Sequence, residues 1–110
     1  MQISARRQEQ TTIFDVSGDI DFANSRELRQ SVLQEIQERH AGRVVVNLSQ
    51  VRYIDSSGVA SLVAGLKTSR DLGSRFMLIG LSPAAREVLQ LSRLIKLFEI
   101  YDSEAQALAS

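Results

Sequence analysis

Cysteine is absent from this chain, and histidine and proline occur once each, as His40 and Pro83. Without cysteine there are no disulfides and no thiolate metal sites, which fits a reducing compartment. A surplus of either charge is also missing, since 13 basic residues balance 13 acidic ones. A nucleic-acid binder shows a basic surplus on one face, so no nucleic acid is expected as a partner. Long apolar runs are lacking too. Val44-Val45-Val46 is far too short to span a bilayer, and Met1 to Arg7 has no apolar signal-peptide core. The chain reads as soluble and cytoplasmic, with no membrane partner. Repeats, low-complexity stretches and linkers are absent, and 110 residues allow one small domain, expected to span 1–110. Neither a Gly-x-x-x-x-Gly-Lys run nor a Gly-x-Gly-x-x-Gly run is present, so the chain has no phosphate-cradling loop and no cofactor is expected.

What is present is an alternation of strand and helix signals. Thr11–Val16 is β-branched and aromatic and reads as a strand, with Gln2–Gln8 a weaker candidate before it. Gly18-Asp19-Ile20-Asp21 reads as a turn. A helix follows, capped by Asn24 or Ser25, with Leu28, Val32, Leu33 and Ile36 on its apolar stripe. Arg43–Leu48 is a strand apolar on both faces, expected in mid-sheet with helices on each side. Ser56 to about Asp71 is the second long helix, with Ser56 as its cap and Gly73 closing it. Arg75–Ile79 is a buried strand, and Ser82-Pro83 opens a helix through about Leu91. Phe98–Tyr101 is a short strand, and Asp102 caps a last helix carrying Ala105 and Leu108. The order β-β-α-β-α-β-α-β-α implies an α/β fold, a mixed and mostly parallel sheet of about five strands with about four helices. In such sheets, sites gather at the carboxyl ends of strands. Asp19–Asp21 and Asp55–Gly58 are both loops of that kind.

The run Ile54-Asp55-Ser56-Ser57-Gly58 is the most informative segment. It places Ser57 at a helix N-terminus with no nucleophile machinery around it. His40 belongs to the far end of the first helix, and Ala60 occupies the position where a Ser-x-x-Lys motif would carry lysine. Asp55 is positioned to orient the Ser57 hydroxyl or to cap the helix. Ala60, Ser61, Ala64, Gly65 and Thr68 share a face with Ser57. That small, uncharged stripe is expected to meet an external partner. A phosphate on Ser57 would add about −1.5 to −2 charges where the helix dipole favours an anion by up to ~1 kcal/mol. A docked partner would feel that charge as repulsion. Asp19 and Asp21 are too few for a metal site, and a contact loop is the better reading.

Val44–Val63, VVVNLSQVRYIDSSGVASLV, resembles the signature of the STAS domain of bacterial anti-sigma factor antagonists. Gly18-Asp19-Ile20-Asp21 resembles that family's Gly-Glu-Leu-Asp turn. Ile79–Pro83 and Leu91–Phe98 resemble two further segments, although Ser92-Arg93-Leu94 lacks the expected glycine. The resemblance implies a non-enzymatic binding switch. Ser57 would be phosphorylated by an anti-sigma factor that is also a serine/threonine kinase of histidine-kinase-like ATPase fold. Unphosphorylated protein would bind that factor and release its sigma factor or other target, and a PP2C-type phosphatase would restore the active form. The partner surface would include Asp19, Asp21, Asp55, Ser56, Gly58, Ala60, Ser61 and Ala64. STAS-like proteins also serve as constitutive adaptors of ABC-type lipid-transport ATPases and as stressosome-like scaffolds, which form the alternative reading.

Overall fold

A computed structural model describes residues 1–110. The strands are β1 (Gln2–Gln8), β2 (Thr11–Ile20), β3 (Arg43–Ile54), β4 (Arg75–Ile79) and β5 (Glu99–Tyr101). The helices are α1 (Ser25–Gln37), α2 (Ser56–Leu72), α3 (Pro83–Leu91) and α4 (Glu104–Ala109), with a 3₁₀ turn at Ile95–Leu97. The expected element order holds throughout. One five-stranded sheet runs β1-β2-β3-β4-β5. β1 pairs antiparallel with β2, and every other pairing is parallel.

Sequential parallel strands joined by right-handed crossovers put every crossover helix on one face. α1, α2 and α3 lie there, over Phe14, Val16, Val44, Val46, Leu48, Phe76 and Leu78. Helices lie on each side as expected, but the opposite face has far less cover. Ile13, Val45, Met77 and Ile79 meet only the short α4, through Ala107. The Val44-Val45-Val46 triplet alternates between these two layers, as the period of a strand requires. All three side chains are buried, and each contributes on the order of 1.5–3 kcal/mol by leaving water.

Several boundaries differ from the sequence expectation, among them β5, which starts at Glu99 and not at Phe98. β2 continues through Ile20 and β3 through Ile54, because Gln50–Ile54 keeps pairing with Ser17–Ile20 beyond a register irregularity. Gly18-Asp19-Ile20 is therefore strand, and Gly18 takes a φ of +86° there. At α4 the cap is Ser103, which accepts from Gln106 N–H, and not Asp102. The inward residue of α4 is Ala107, while Ala105 is exposed.

α2 and α3 end alike, with different residues at the critical position. Ser74 N–H donates to Ser69 and Gly73 N–H to Arg70, and likewise Leu94 N–H donates to Leu89 and Arg93 N–H to Gln90. Both are Schellman ends, which place one residue in the left-handed region. Gly73 holds φ +76° without strain, whereas Arg93 holds φ +61°. The missing glycine noted in the sequence is thus replaced without a change of backbone shape. Arg93→Gly is expected to raise stability by up to about 1 kcal/mol, as relief of the left-handed strain outweighs the added freedom of the unfolded chain. Urea titration of the two proteins checks this.

Candidate functional site at the head of helix α2

The carboxyl ends of β2 and β3 lie side by side, with Asp19 opposite Tyr53 and Ile20 opposite Ile54. The loops that follow are joined through Asp55. Its backbone N–H donates to Ile20 O at 3.1 Å. One carboxylate oxygen accepts from Ser57 N–H at 2.9 Å, Gly58 N–H at 3.2 Å and the Ser57 hydroxyl at 2.5 Å. The other accepts from Phe22 N–H at 3.1 Å, across in the β2–α1 loop. Asp55 is therefore the cap of α2, a correction to the assignment of Ser56. Ser56 stands exposed beside it. The two roles considered for Asp55, capping the helix and orienting the hydroxyl, are performed together. The Ser57 hydroxyl, followed by the three backbone N–H groups, holds the Asp55 carboxyl below the usual aspartate range.

Asp55→Ala removes four hydrogen bonds at once and leaves α2 uncapped. A loss of about 1–2 kcal/mol is expected from the cap. Asp55→Asn, which can still accept from the helix N–H groups, is expected to lose less. Denaturant unfolding of both variants makes the comparison.

The β2–α1 loop is braced by its own side chains. Asp21 accepts from Ala23 N–H and Asn24 N–H. Asn24 accepts from Asp21 N–H at 2.9 Å and donates to Asp19 O at 2.9 Å. Asn24 precedes α1 but makes no side-chain cap bond. Asp19 meets Arg52 at 3.4 Å with both side chains largely in water, a contact of little energetic weight.

The small-residue stripe of α2 divides into two. Ser61 is buried, and its hydroxyl lies 3.0 Å from Ser25 O, an acceptor on α1. Gly65 faces Val32 of α1 and Phe76 of β4, where an added Cβ would stand 2.9 and 2.7 Å from their carbons. Gly58 is closed over by Ile54 and Ile20. Ser61, Gly65 and Gly58 therefore serve the packing of α2 against its own chain, which corrects the expectation that the whole stripe meets a partner. Ala60 stays exposed and Ala64 half-exposed.

An open groove of about 480 Å³ lies beside Ser57, between α1 and α2, lined by Phe22, Ala23, Ser25, Arg26, Arg29, Ser57, Ala60 and Ser61. Phe22 is 85 % exposed at its mouth. Phe22 was not picked out from the sequence, where Arg26 and Arg29 read only as scattered, solvated cations. Phe22 left one signal there, an aromatic in the polar run Asp21-Phe22-Ala23-Asn24 that fits no apolar period. His40 lies beyond the C-terminal end of α1, at the opposite end of β3 from Ser57. No three histidine, aspartate or glutamate side chains gather as a metal site. No helix is long and apolar enough to cross a membrane.

These features define a small α/β domain whose most elaborated surface is an ordered hydroxyl at the head of α2, next to an open groove. The chain belongs to the STAS domain family, which it matches over residues 2–107. It is 28 % identical to the anti-sigma F factor antagonist of Paenibacillus polymyxa over 98 % of this chain and 92 % of that one. Among solved structures, an anti-sigma factor antagonist from Mycobacterium paratuberculosis superposes with a TM-score of 0.86 at 24 % identity, covering 98 % of this chain and 91 % of the other. The Bacillus cell fate determinant SpoIIAA in its phosphorylated form gives 0.77 at 20 % identity, covering 98 % and 97 %.

Proposed function

We propose that this chain is a phosphorylation-gated anti-sigma factor antagonist, with Ser57 as the phosphoacceptor. In this reading it is a cytoplasmic binding protein and not an enzyme. Its partner is an anti-sigma factor that is also a serine/threonine kinase of histidine-kinase-like ATPase fold. The observation that carries the reading is the Ser57 hydroxyl, held by Asp55 at 2.5 Å on the rim of an open groove. The hydroxyl hydrogen points to Asp55, which leaves oxygen lone pairs free to meet a phosphoryl group. In the transfer, the Ser57 Oγ–P bond forms, the bond from the γ-phosphorus breaks with ADP as the leaving group, and the hydroxyl proton passes to a base of the kinase or to water. Asp55 is a positioning residue in that step.

Ser57, Ser56, Ala60, Ala64, Asp19, Asp21 and the exposed Phe22 form the proposed contact surface. Asp55 holds its two loops together, while Gly58 and Ser61 seat α2 beneath it. Phosphorylation would place about −1.5 to −2 charges in the middle of that surface. A PP2C-type phosphatase would reset it. The unmodified form would occupy the partner and release the partner's sigma factor or equivalent target.

A pull-down from native lysate with Ser57→Ala and Ser57→Asp baits, read by mass spectrometry, tests the proposal. A histidine-kinase-like ATPase retained by Ser57→Ala and lost by Ser57→Asp supports it. Equal retention of one ABC ATPase or scaffold by both baits replaces it with the adaptor reading.

A further inference from the structure

We infer that a phosphate on Ser57 turns away from Asp55 into the α1–α2 groove and is held there by Arg26 and Arg29 of the same chain. The inference deepens the proposed function and rests on Ser57 being the modified residue. It begins with what phosphorylation removes. The Ser57 hydroxyl donates its only hydrogen to Asp55. A phosphoester oxygen has no hydrogen, so the modified side chain would face the Asp55 carboxylate as anion against anion.

Three N–H groups at the helix N-terminus are already taken, which leaves the helix dipole and little direct hydrogen bonding for a phosphate. Ser57 N–H and Gly58 N–H already donate to the Asp55 side chain, and Val59 N–H donates to Asp55 O. The neighbouring loop offers another acid, Asp21, whose carboxylate is taken up by Ala23 and Asn24 N–H groups. Arg52 is engaged with Asp19. Rotation of the Ser57 side chain toward the groove is the one direction that leads from carboxylates to free cations.

Arg26 and Arg29 line that groove with Ser57, and neither is in a salt bridge. They stand three apart on α1 and so share a side of the helix. Long helical side chains lean toward the helix N-terminus. The contact of Ser61 with Ser25 O sets the start of α1 beside the first turns of α2, so the lean carries both guanidinium groups toward the Ser57 end. Two guanidinium groups on one side of a phosphate give charge-assisted, bidentate hydrogen bonds. The bound phosphate would then sit across the Ala60 surface where a partner docks, and the arginines would hold it there.

The test uses the full chain with phosphoserine installed at position 57 during translation, so that no kinase is needed. ³¹P NMR follows the second ionisation of the phosphate, ordinarily near pH 6. Removing both cations in R26Q/R29Q is expected to raise that pKa by about half a unit or more. Asp55→Asn is expected to move it the opposite way. Added salt should bring wild type toward R26Q/R29Q, because exposed charges are screened. Both arginines are exposed, and dispersed amide spectra recorded on the same samples confirm folding. An identical titration in wild type and R26Q/R29Q overturns the inference, whatever the pull-down finds. A shifted titration with no change in partner binding upholds it and removes the proposed switch.

Discussion

Ser57→Asp is expected to weaken binding to the proposed ATPase partner by about a hundredfold, or about 2.7 kcal/mol. Ser57→Ala is expected to bind within a few-fold of wild type. The asymmetry follows from the surroundings of Ser57. An aspartate there brings a second carboxylate next to Asp55, which already accepts from the backbone of both site loops. In the free protein water screens that pair. In a complex the water is excluded, and two neighbouring carboxylates buried together lose that screening at a cost of several kcal/mol. Alanine loses one hydrogen bond at a half-buried position, worth about 0.5–1.5 kcal/mol, and introduces no charge. Both variants keep the backbone bonds of the Asp55 cap on α2, so both should stay folded, with Ser57→Ala melting several degrees lower for its lost bond. Isothermal titration calorimetry against the captured ATPase, with thermal melts of each variant, measures the two effects separately.

Gly65→Val is expected to destabilise the fold by about 3 kcal/mol or more, and Gly65→Ala by a smaller amount. Glycine inside a helix costs about 1 kcal/mol relative to alanine, so propensity alone predicts a gain for alanine. Packing opposes it. An added Cβ would lie 2.7 Å from Phe76 Cε1, 2.9 Å from Val32 Cγ1 and 3.0 Å from Phe76 Cζ. Phe76 is itself buried and packed against Phe98 at 6.3 Å between ring centroids. Overpacking a full core costs about 1–3 kcal/mol for the first added groups, so packing outweighs propensity even for alanine. Valine's two further methyl groups have no space between α1 and β4. For a domain of this size each kcal/mol lowers Tm by about 4–8 °C. Differential scanning calorimetry of the two variants therefore resolves them.

The contrast between Gly65 and Ala60 shows what the sequence could and could not express. Both lie on the small stripe of α2, and helical spacing rightly puts them on the same side as Ser57. Spacing does not say which neighbour covers a face. That depends on the angle at which α1 crosses α2, which Ser61, Ser25, Gly65 and Val32 set through tertiary contact. Strand ends behaved similarly. Val44–Val46 announced a buried strand by its apolar run, but Gln50–Ile54 belongs to β3 only because β2 pairs with it. The Asp-Ser-Ser-Gly segment was legible as a cap beside a serine, which the structure leaves half-buried. Which side chain capped was not, because Asp55 and Ser56 are both good capping residues and the reach to Phe22 N–H decides between them. Glu35 was not legible at all. It sits buried on α1 and is satisfied by Arg7 of β1 at 2.8 Å and Thr12 of β2 at 2.5 Å, partners distant in the chain. Element order, the parallel sheet and the convergence of the two site loops needed only local patterns and chirality, and those were readable.

The most direct test of the switch is to mix the purified chain with the captured ATPase and ATP, then follow mass and complex together. The account predicts one phosphate, located on Ser57 by fragmentation, and release of the chain as that phosphate appears, with Ser57→Ala remaining bound and unmodified. A chain that stays bound without modification, or is modified elsewhere while Ser57→Ala is released equally, would contradict it.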